Sequence, residues 1–244
     1  MKLEIIGFNI ESCIAAQQAG ANRIELCANP LEGGTTPSYG FIKAARKKLS
    51  IELYVMIRPR GGDFLYSNDE FEIMKKDIEL CKQSGCDGVV LGLLTPNGTI
   101  DKKRCGELVD YAYPLGVTFH RAFDRTKDPF QSMEEIIEMG CERILTSGLH
   151  PKAIDGAEII KQLILQADER IIIMPGSGVS SQNITSLAES TGAIEFHSSA
   201  SVSAVSNMKY ENELMGEKME LVVVNKEEVQ KMVALLRSVE SITN

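Results

Sequence analysis

The chain has 244 residues, of which 43% are hydrophobic and 25% charged. This is the composition of an ordinary soluble globular protein with enough apolar material for one large core. Its net charge of −8 works against nucleic acid or an anionic membrane as a partner held by a general field, and no run approaches the ~20 apolar residues of a membrane span. A small molecule or a metal ion is the expected ligand.

In chain order, the first strand is expected near 3–8 and the first helix near 10–20. The opening segment MKLEIIGFNIESCIAA places Glu4 and Glu11 inside its apolar stretch, which makes it a poor secretory signal. Cys13, Cys27, Cys81, Cys86, Cys105 and Cys141 contain no CxxC pair, so they read as reduced cytosolic thiols. A pattern then recurs. AGANRIEL (19–26), SGCDGVVL (84–91), MGCERILT (139–146) and TGAIEFHS (191–198) each put Gly between a helical stretch and a strand, the place of a left-handed residue ending a helix. With the gaps filled, strands fall near 23–27, 51–57, 88–91, 116–120, 143–146, 171–174 and 193–197. Helices fall between them near 39–48, 69–84, 101–112, 130–139, 155–166 and 181–190, with a last one near 226–238. Strands and helices alternating in this number predict an α/β fold, a TIM (β/α)8 barrel, as a single domain over 1–244. The strand-to-helix connections 28–38, 58–68 and about 198–225 are the long ones, which puts the functional face at the C-terminal ends of the strands.

Four strands end in ionisable residues that alternate with apolar ones: RIELC (23–27), ELYVMIR (52–58), VTFHR (117–121) and IEFHS (194–198). Side chains alternate across a strand, so Glu25 and Cys27 share a face, as do Tyr54, Met56 and Arg58, Thr118 and His120, and Glu195 and His197. The opposite face carries Ile24, Leu26, Leu53, Val55, Ile57, Val117, Phe119, Ile194 and Phe196, ready to meet covering helices. Burying an ionisable group without a partner costs several kcal/mol, roughly, so the charged set points to a site.

His120, followed by Arg121 and Asp124, is suited to general acid–base chemistry or to ligating a metal, and His197 sits at the corresponding position of the last strand. His150 is read as a loop residue. Glu25 needs a cation, a proton or an arginine, and Arg58 is its expected partner if the second and third strands adjoin. Arg58, Arg60 and Arg121 otherwise resemble an anion clamp. In MPGSGVSS (174–181), Gly176, Ser177 and Gly178 offer backbone N–H groups to an anion, with Ser198 as the opposite wall, while ANPLEGGTTPSYG (28–40) is read as a lid or substrate wall. Cys27 is the one thiol expected in the interior, hence the best soft ligand for copper(I), while His120 and His197 with a carboxylate would suit a harder divalent ion.

The strings ANRIELC, GGTTPSYG, IRPRGGDFLY, VTFHRAFD, LTSG, MPGSGV and EFHSSA, in that order, resemble the CutC family of copper homeostasis proteins over about residues 3–201. The resemblance implies a cytoplasmic TIM barrel linked to copper binding or copper tolerance, copper(I) as the metal, and a homo-oligomer, either dimer or tetramer. The family's motif positions fall on Glu25, Cys27, Arg58, His120, Arg121, Asp124, Gly176 to Gly178 and His197. From Val202 to Asn225 only Met215 and Gly216 align. The residues by themselves leave two other functions open. One is an enzyme acting on a small anionic substrate, phosphorylated ones included, at the C-terminal face of the barrel. The other is a module that binds a metabolite without turnover.

Overall fold

The computed structural model describes residues 1–210, 212–216 and 219–243. Eight parallel strands form one sheet: β1 (Lys2–Gly7), β2 (Arg23–Leu26), β3 (Glu52–Met56), β4 (Gly88–Leu91), β5 (Gly116–Phe119), β6 (Arg143–Thr146), β7 (Ile172–Pro175) and β8 (Glu195–Ser198). The order β7-β6-β5-β4-β3-β2-β1-β8 follows the chain, except that β8 pairs with β1 and approaches β7 to close the ring. The helices are α1 (Ile10–Gln18), α2 (Tyr39–Lys48), α3 (Asn68–Ser84), α4 (Lys102–Ala112), α5 (Pro129–Glu138), α6 (Ala157–Ala167), α7 (Ile184–Thr191) and α8 (Lys226–Thr243). This is the expected TIM barrel, with element bounds close to those read from the sequence.

The recurrent glycines do what their positions require. Gly20, Gly85, Gly140 and Gly192 all take positive φ, ending α1, α3, α5 and α7 at little steric cost before the next strand begins. Outward strand residues such as Ile24, Leu53, Val55, Val117, Phe119 and Phe196 are buried under the helices in one continuous apolar layer. Ile194 departs from that reading: it precedes β8 and is exposed. A second, small apolar cluster of Ile6, Cys27, Tyr54, Met56 and Val90 lies inside the barrel.

The N-terminal end of the barrel is plugged by ions. Arg23, fully buried, donates from Nη1 and Nη2 to Glu195 Oε2 at 2.8 and 2.6 Å and from Nε to Glu52 at 3.0 Å. Arg143 reaches the same Glu195 oxygen at 2.7 Å, and also Thr118 at 3.1 Å and Glu142 at 2.9 Å. Tyr54 lies beneath both guanidiniums, 4.9 and 5.4 Å from its ring centre, and its hydroxyl donates to Glu142. Gly88 and Gly116 face that ring, where any Cβ would collide with it.

The stretch read as a long loop before the last helix holds two further strands, β9 (Ser201–Val205) and β10 (Glu220–Val224), paired antiparallel. Asn9 Nδ2 donates to the Val222 carbonyl at 2.9 Å and the Val224 N–H to Ser12 Oγ at 3.0 Å, which fastens this ribbon to α1. Residues 211, 217 and 218 of that stretch lie outside the described residues.

Because Glu195 bridges two buried arginines, Glu195→Ala is expected to lower the unfolding free energy by about 3–5 kcal/mol. Urea unfolding followed by circular dichroism measures it, and a loss below about 1 kcal/mol would contradict the plug's role.

Candidate functional site

Above the plug, the inward positions of β1, β2 and β8 bring together Glu4, Glu25 and His197, all buried. The registers require it, since β1 is hydrogen-bonded to both β2 and β8 and Glu4 pairs directly with His197. His197 Nδ1 lies 2.7 Å from Glu4 Oε1 and its Nε2 lies 3.9 Å from Glu25 Oε2. One donor atom from each of the three falls within 4.8 Å of the others. The Cys27 thiol donates to Glu25 Oε2 at 3.6 Å. Two carboxylate oxygens, Glu4 Oε2 and Glu25 Oε1, are buried without a hydrogen-bond partner among the described residues, although Arg23 Nε stands 3.4 Å from the former.

The charges in this trio are unequal in comfort. For Glu25, burial and the neighbouring Glu4 charge outweigh His197, pushing its pKa up to about 7. Glu4 is held below the usual carboxylate value: burial opposes this, but the hydrogen bond and charge of His197, with Arg23 and Arg143, prevail. Burial also opposes the His197 imidazolium, yet Glu25 and Glu4 raise its pKa. Burial, together with Glu25, keeps the Cys27 thiol protonated.

A cavity of about 1190 Å³ opens at the C-terminal face, and Glu25, Arg58, His120, Arg121 and His197 line it, as do Ser177 and Gly178. These side chains share one cavity, and their roles divide within it. Arg58 does not pair with Glu25. Its guanidinium donates to the carbonyls of Glu32 (2.6 Å), Gly34 (2.7 Å) and Gly62 (2.9 Å), so it clamps the 28–34 loop that forms a wall of the cavity. Arg60 is spent on Glu70 (2.6 Å) and Asp63 (3.0 Å). Arg121, which lines the cavity as Arg58 does, is held by Asp124 (2.8 Å) and Ser147 (2.8 Å). Asp124 also accepts from the Thr146 and Ser147 hydroxyls and from the Ser147 and Leu149 N–H groups, so it organises the loop after β6.

His120 stands apart from the trio. Its Nδ1 accepts the Ala122 N–H at 3.2 Å, which places the ring proton on Nε2, an atom with no hydrogen-bond partner among the described residues. Burial and the Arg58 charge push its pKa down to about 3, so it is a neutral donor at the cavity wall. Around β7 the anion set is partly used internally. Ser198 Oγ donates to the Val179 carbonyl at 2.6 Å, Ser177 Oγ to the Pro151 carbonyl at 2.8 Å and the Gly176 N–H to Thr146 at 2.9 Å. His150 Nδ1 is held at 2.7 Å by the Gly148 carbonyl, in keeping with its reading as a loop residue.

Glu4 is the member of this candidate site that motif reading passes over. It faces inward by simple alternation in KLEIIG, but it looks like an interruption of an apolar run until the pairing of β1 with β8 is known.

The family model described as the CutC family matches residues 1–202. The chain belongs to the CutC family. A CutC family protein from Chromobacterium violaceum is 51% identical over 208 residues, covering 85% of this chain and 84% of that one. The copper homeostasis protein cutC homolog of Mus musculus is 50% identical over 210 residues, 86% of this chain and 77% of that one. The crystal structure of CutC from Streptococcus agalactiae superposes with a TM-score of 0.79 at 36% identity, covering 82% of this chain and 98% of that chain. Thiamine phosphate pyrophosphorylase from Pyrococcus furiosus, at 14% identity and a TM-score of 0.62, shares the barrel over 98% of this CutC chain and 96% of its own.

The trio also gives the barrel a pH signature. A carboxyl whose folded pKa is raised from 4.5 to about 7 has its stability fully present below 4.5 and loses it as pH rises through about 7. The raised His197 pKa acts in the same direction, through the window above its ordinary value of 6.5. The urea midpoint of the wild-type protein is therefore expected to fall between about pH 5 and about pH 8, and that of Glu25→Gln to fall distinctly less. Parallel curves for the two proteins would contradict the assignment.

Proposed function

We propose that this CutC protein serves copper homeostasis by taking a copper ion as cargo in the barrel interior, at Glu4, Glu25 and His197 with Cys27 beside them. The observation that carries the reading is the donor cluster itself: two carboxylates and an imidazole within 4.8 Å, buried, with carboxylate oxygens lacking partners. An incompletely satisfied buried anionic site calls for a cation or a proton. The donor chemistry suits copper, since imidazole is a good copper ligand and a neighbouring thiol is the soft group that favours Cu(I). Relatives at about half identity that carry the name copper homeostasis protein support the same reading.

In this reading His197 offers Nε2, while Glu4, bonded to Nδ1, orients the ring as a carboxylate does behind many metal-bound histidines. Glu25 supplies an oxygen, and Cys27 a sulfur once its proton leaves. Binding must displace the proton that Glu25 holds near neutrality, so affinity should rise with pH. Met56, in the same interior cluster as Cys27, adds a second soft side chain to the wall. The enzyme reading, with a small anionic substrate, draws less support, because Arg58 and Ser198 are committed to backbone carbonyls.

A cytoplasmic location accords with six buried cysteines free of disulfides, and with the fact that none of the described helices is long and apolar enough to cross a membrane. A homo-oligomer accords with the exposed apolar residues on and beside the ribbon, among them Val205, Tyr210, Leu214 and Leu221.

Titration of the purified protein against a competing chelator, with Cu(I) under reducing conditions and with Cu(II) in air, tests the proposal. One copper per chain is expected, and Glu4→Gln should weaken it by about 10–100-fold as an orienting carboxylate does. His197→Ala should abolish it, and Cys27→Ser should lower Cu(I) affinity while sparing Cu(II). Full retention of binding by both His197→Ala and Cys27→Ser would sink the site.

A further inference from the structure

Cys81 and Cys86 close the C-terminal end of α3. Gly85, at φ 73°, lets the Cys86 N–H return to the Cys81 carbonyl at 3.1 Å while its own N–H bonds Lys82 at 3.1 Å, the two hydrogen bonds of a Schellman turn. The side chains at the two ends of the longer bond usually make an apolar contact. Two other helices of this barrel end in the same way. The Ala21 N–H bonds Ala16 at 3.1 Å after α1, and the Cys141 N–H bonds Ile136 at 3.4 Å after α5. The turn therefore asks only for apolar side chains, and an alanine pair satisfies it.

At α3 both positions are thiols, brought to the two ends of one backbone hydrogen bond by the turn. Both are buried in the apolar layer, Cys81 completely and Cys86 with 6% exposure at the foot of β4, on the barrel face opposite the cavity. The charged groups facing the pair are Lys43 and Arg46 of α2, Asp87 beside Cys86, and Asp77 one turn back on α3. Arg46 is bonded to Asp87 at 2.6 Å. The neighbouring Cys81 thiol, against the opposing effect of burial and with help from Arg46 and Lys43, lowers the Cys86 pKa. Cys86 in turn, and then burial, raise that of Cys81. A thiol of lowered pKa beside a protonated partner thiol is the arrangement found in reactive dithiols.

We propose that Cys81 and Cys86 are a reversible redox dithiol, oxidised to a disulfide by the hydroperoxide class of oxidant. The Cys86 thiolate attacks the peroxide oxygen; the O–O bond breaks, an alcohol or water departs, and Cys86 becomes a sulfenic acid. The Cys81 sulfur then attacks the Cys86 sulfur, forming S–S and breaking S–O, and a water leaves with the Cys81 proton. Two thiols lose two electrons and two protons, and the hydroperoxide takes them up. A dithiol reductant reverses the change.

The test treats the full chain with hydrogen peroxide, blocks the remaining thiols after denaturation, and cleaves with trypsin, which cuts after Lys82 and so separates the two cysteines. The expected product joins the peptides 77–82 and 83–102 through a disulfide that dithiothreitol removes, with the other four cysteines still blocked. In Cys81→Ser the oxidation should stop at a Cys86 sulfenic acid that dimedone captures; in Cys86→Ser, Cys81 should stay reduced. The Cys81→Ala, Cys86→Ala double variant reproduces the α1 pair and should remain folded by circular dichroism, showing that the thiols are not needed for the turn. Recovery of Cys81 and Cys86 as blocked thiols, at peroxide doses that oxidise other cysteines of the chain, would overturn the proposal, as would equal oxidation of Cys81 in the presence and absence of Cys86.

Discussion

Ionised side chains sealed inside a closed parallel barrel must compensate one another, because water cannot do it for them. The interior is built around that constraint in two tiers. In the lower one, Arg23 and Arg143 converge on Glu195, with Glu52 and Glu142 at the rim and the Tyr54 ring beneath the guanidiniums. Nearly every donor there finds an acceptor, and the glycines of β4 and β5 give Tyr54 its room. This tier is structural, and it closes the barrel at its N-terminal end.

The upper tier is left open by one charge. Glu4 and His197 compensate each other, and Arg23 reaches up toward Glu4 from below. Glu25 has only a distant imidazole, a weak thiol donor and a like-charged neighbour, so near neutrality it keeps a proton. A carboxylic acid at the inner end of a cavity, beside a histidine already oriented by another carboxylate, is prepared to exchange that proton for a cation. The tiers thus separate a fully paired plug from an incompletely compensated cluster along the barrel axis, with the cluster toward the face that carries the sites of this fold. Arg58, Asp124 and His120 serve the opening by holding its loops and wall.

Much of this was legible in the sequence because the barrel repeats simple rules. Gly before each of four strands marks the helix ends, and alternation along the strands puts Glu25, Cys27, His120 and His197 on the buried inward face. Pairing across strands was not legible. Glu25 lies opposite Tyr54 on the adjacent strand, but Arg58 sits four residues farther along, beyond the end of β3, and meets loop carbonyls instead. Glu4 became visible only through the register of β1 with β8, a contact between residues 193 positions apart. The β9–β10 ribbon escaped for a different reason: its residues alternate polar and apolar weakly, and half of it is exposed on both faces. The family match ends at residue 202, where that ribbon begins.

The central claim is that the incompletely compensated tier is where the metal goes, and anomalous diffraction from copper-loaded crystals at the copper absorption edge tests it most directly. A single strong peak is predicted among His197 Nε2, the Glu25 carboxylate and the Cys27 sulfur. Copper bound elsewhere on the chain with the Glu4, Glu25 and His197 side chains unchanged, or an ordered anion against Arg121 and Ser177 in its place, would contradict it.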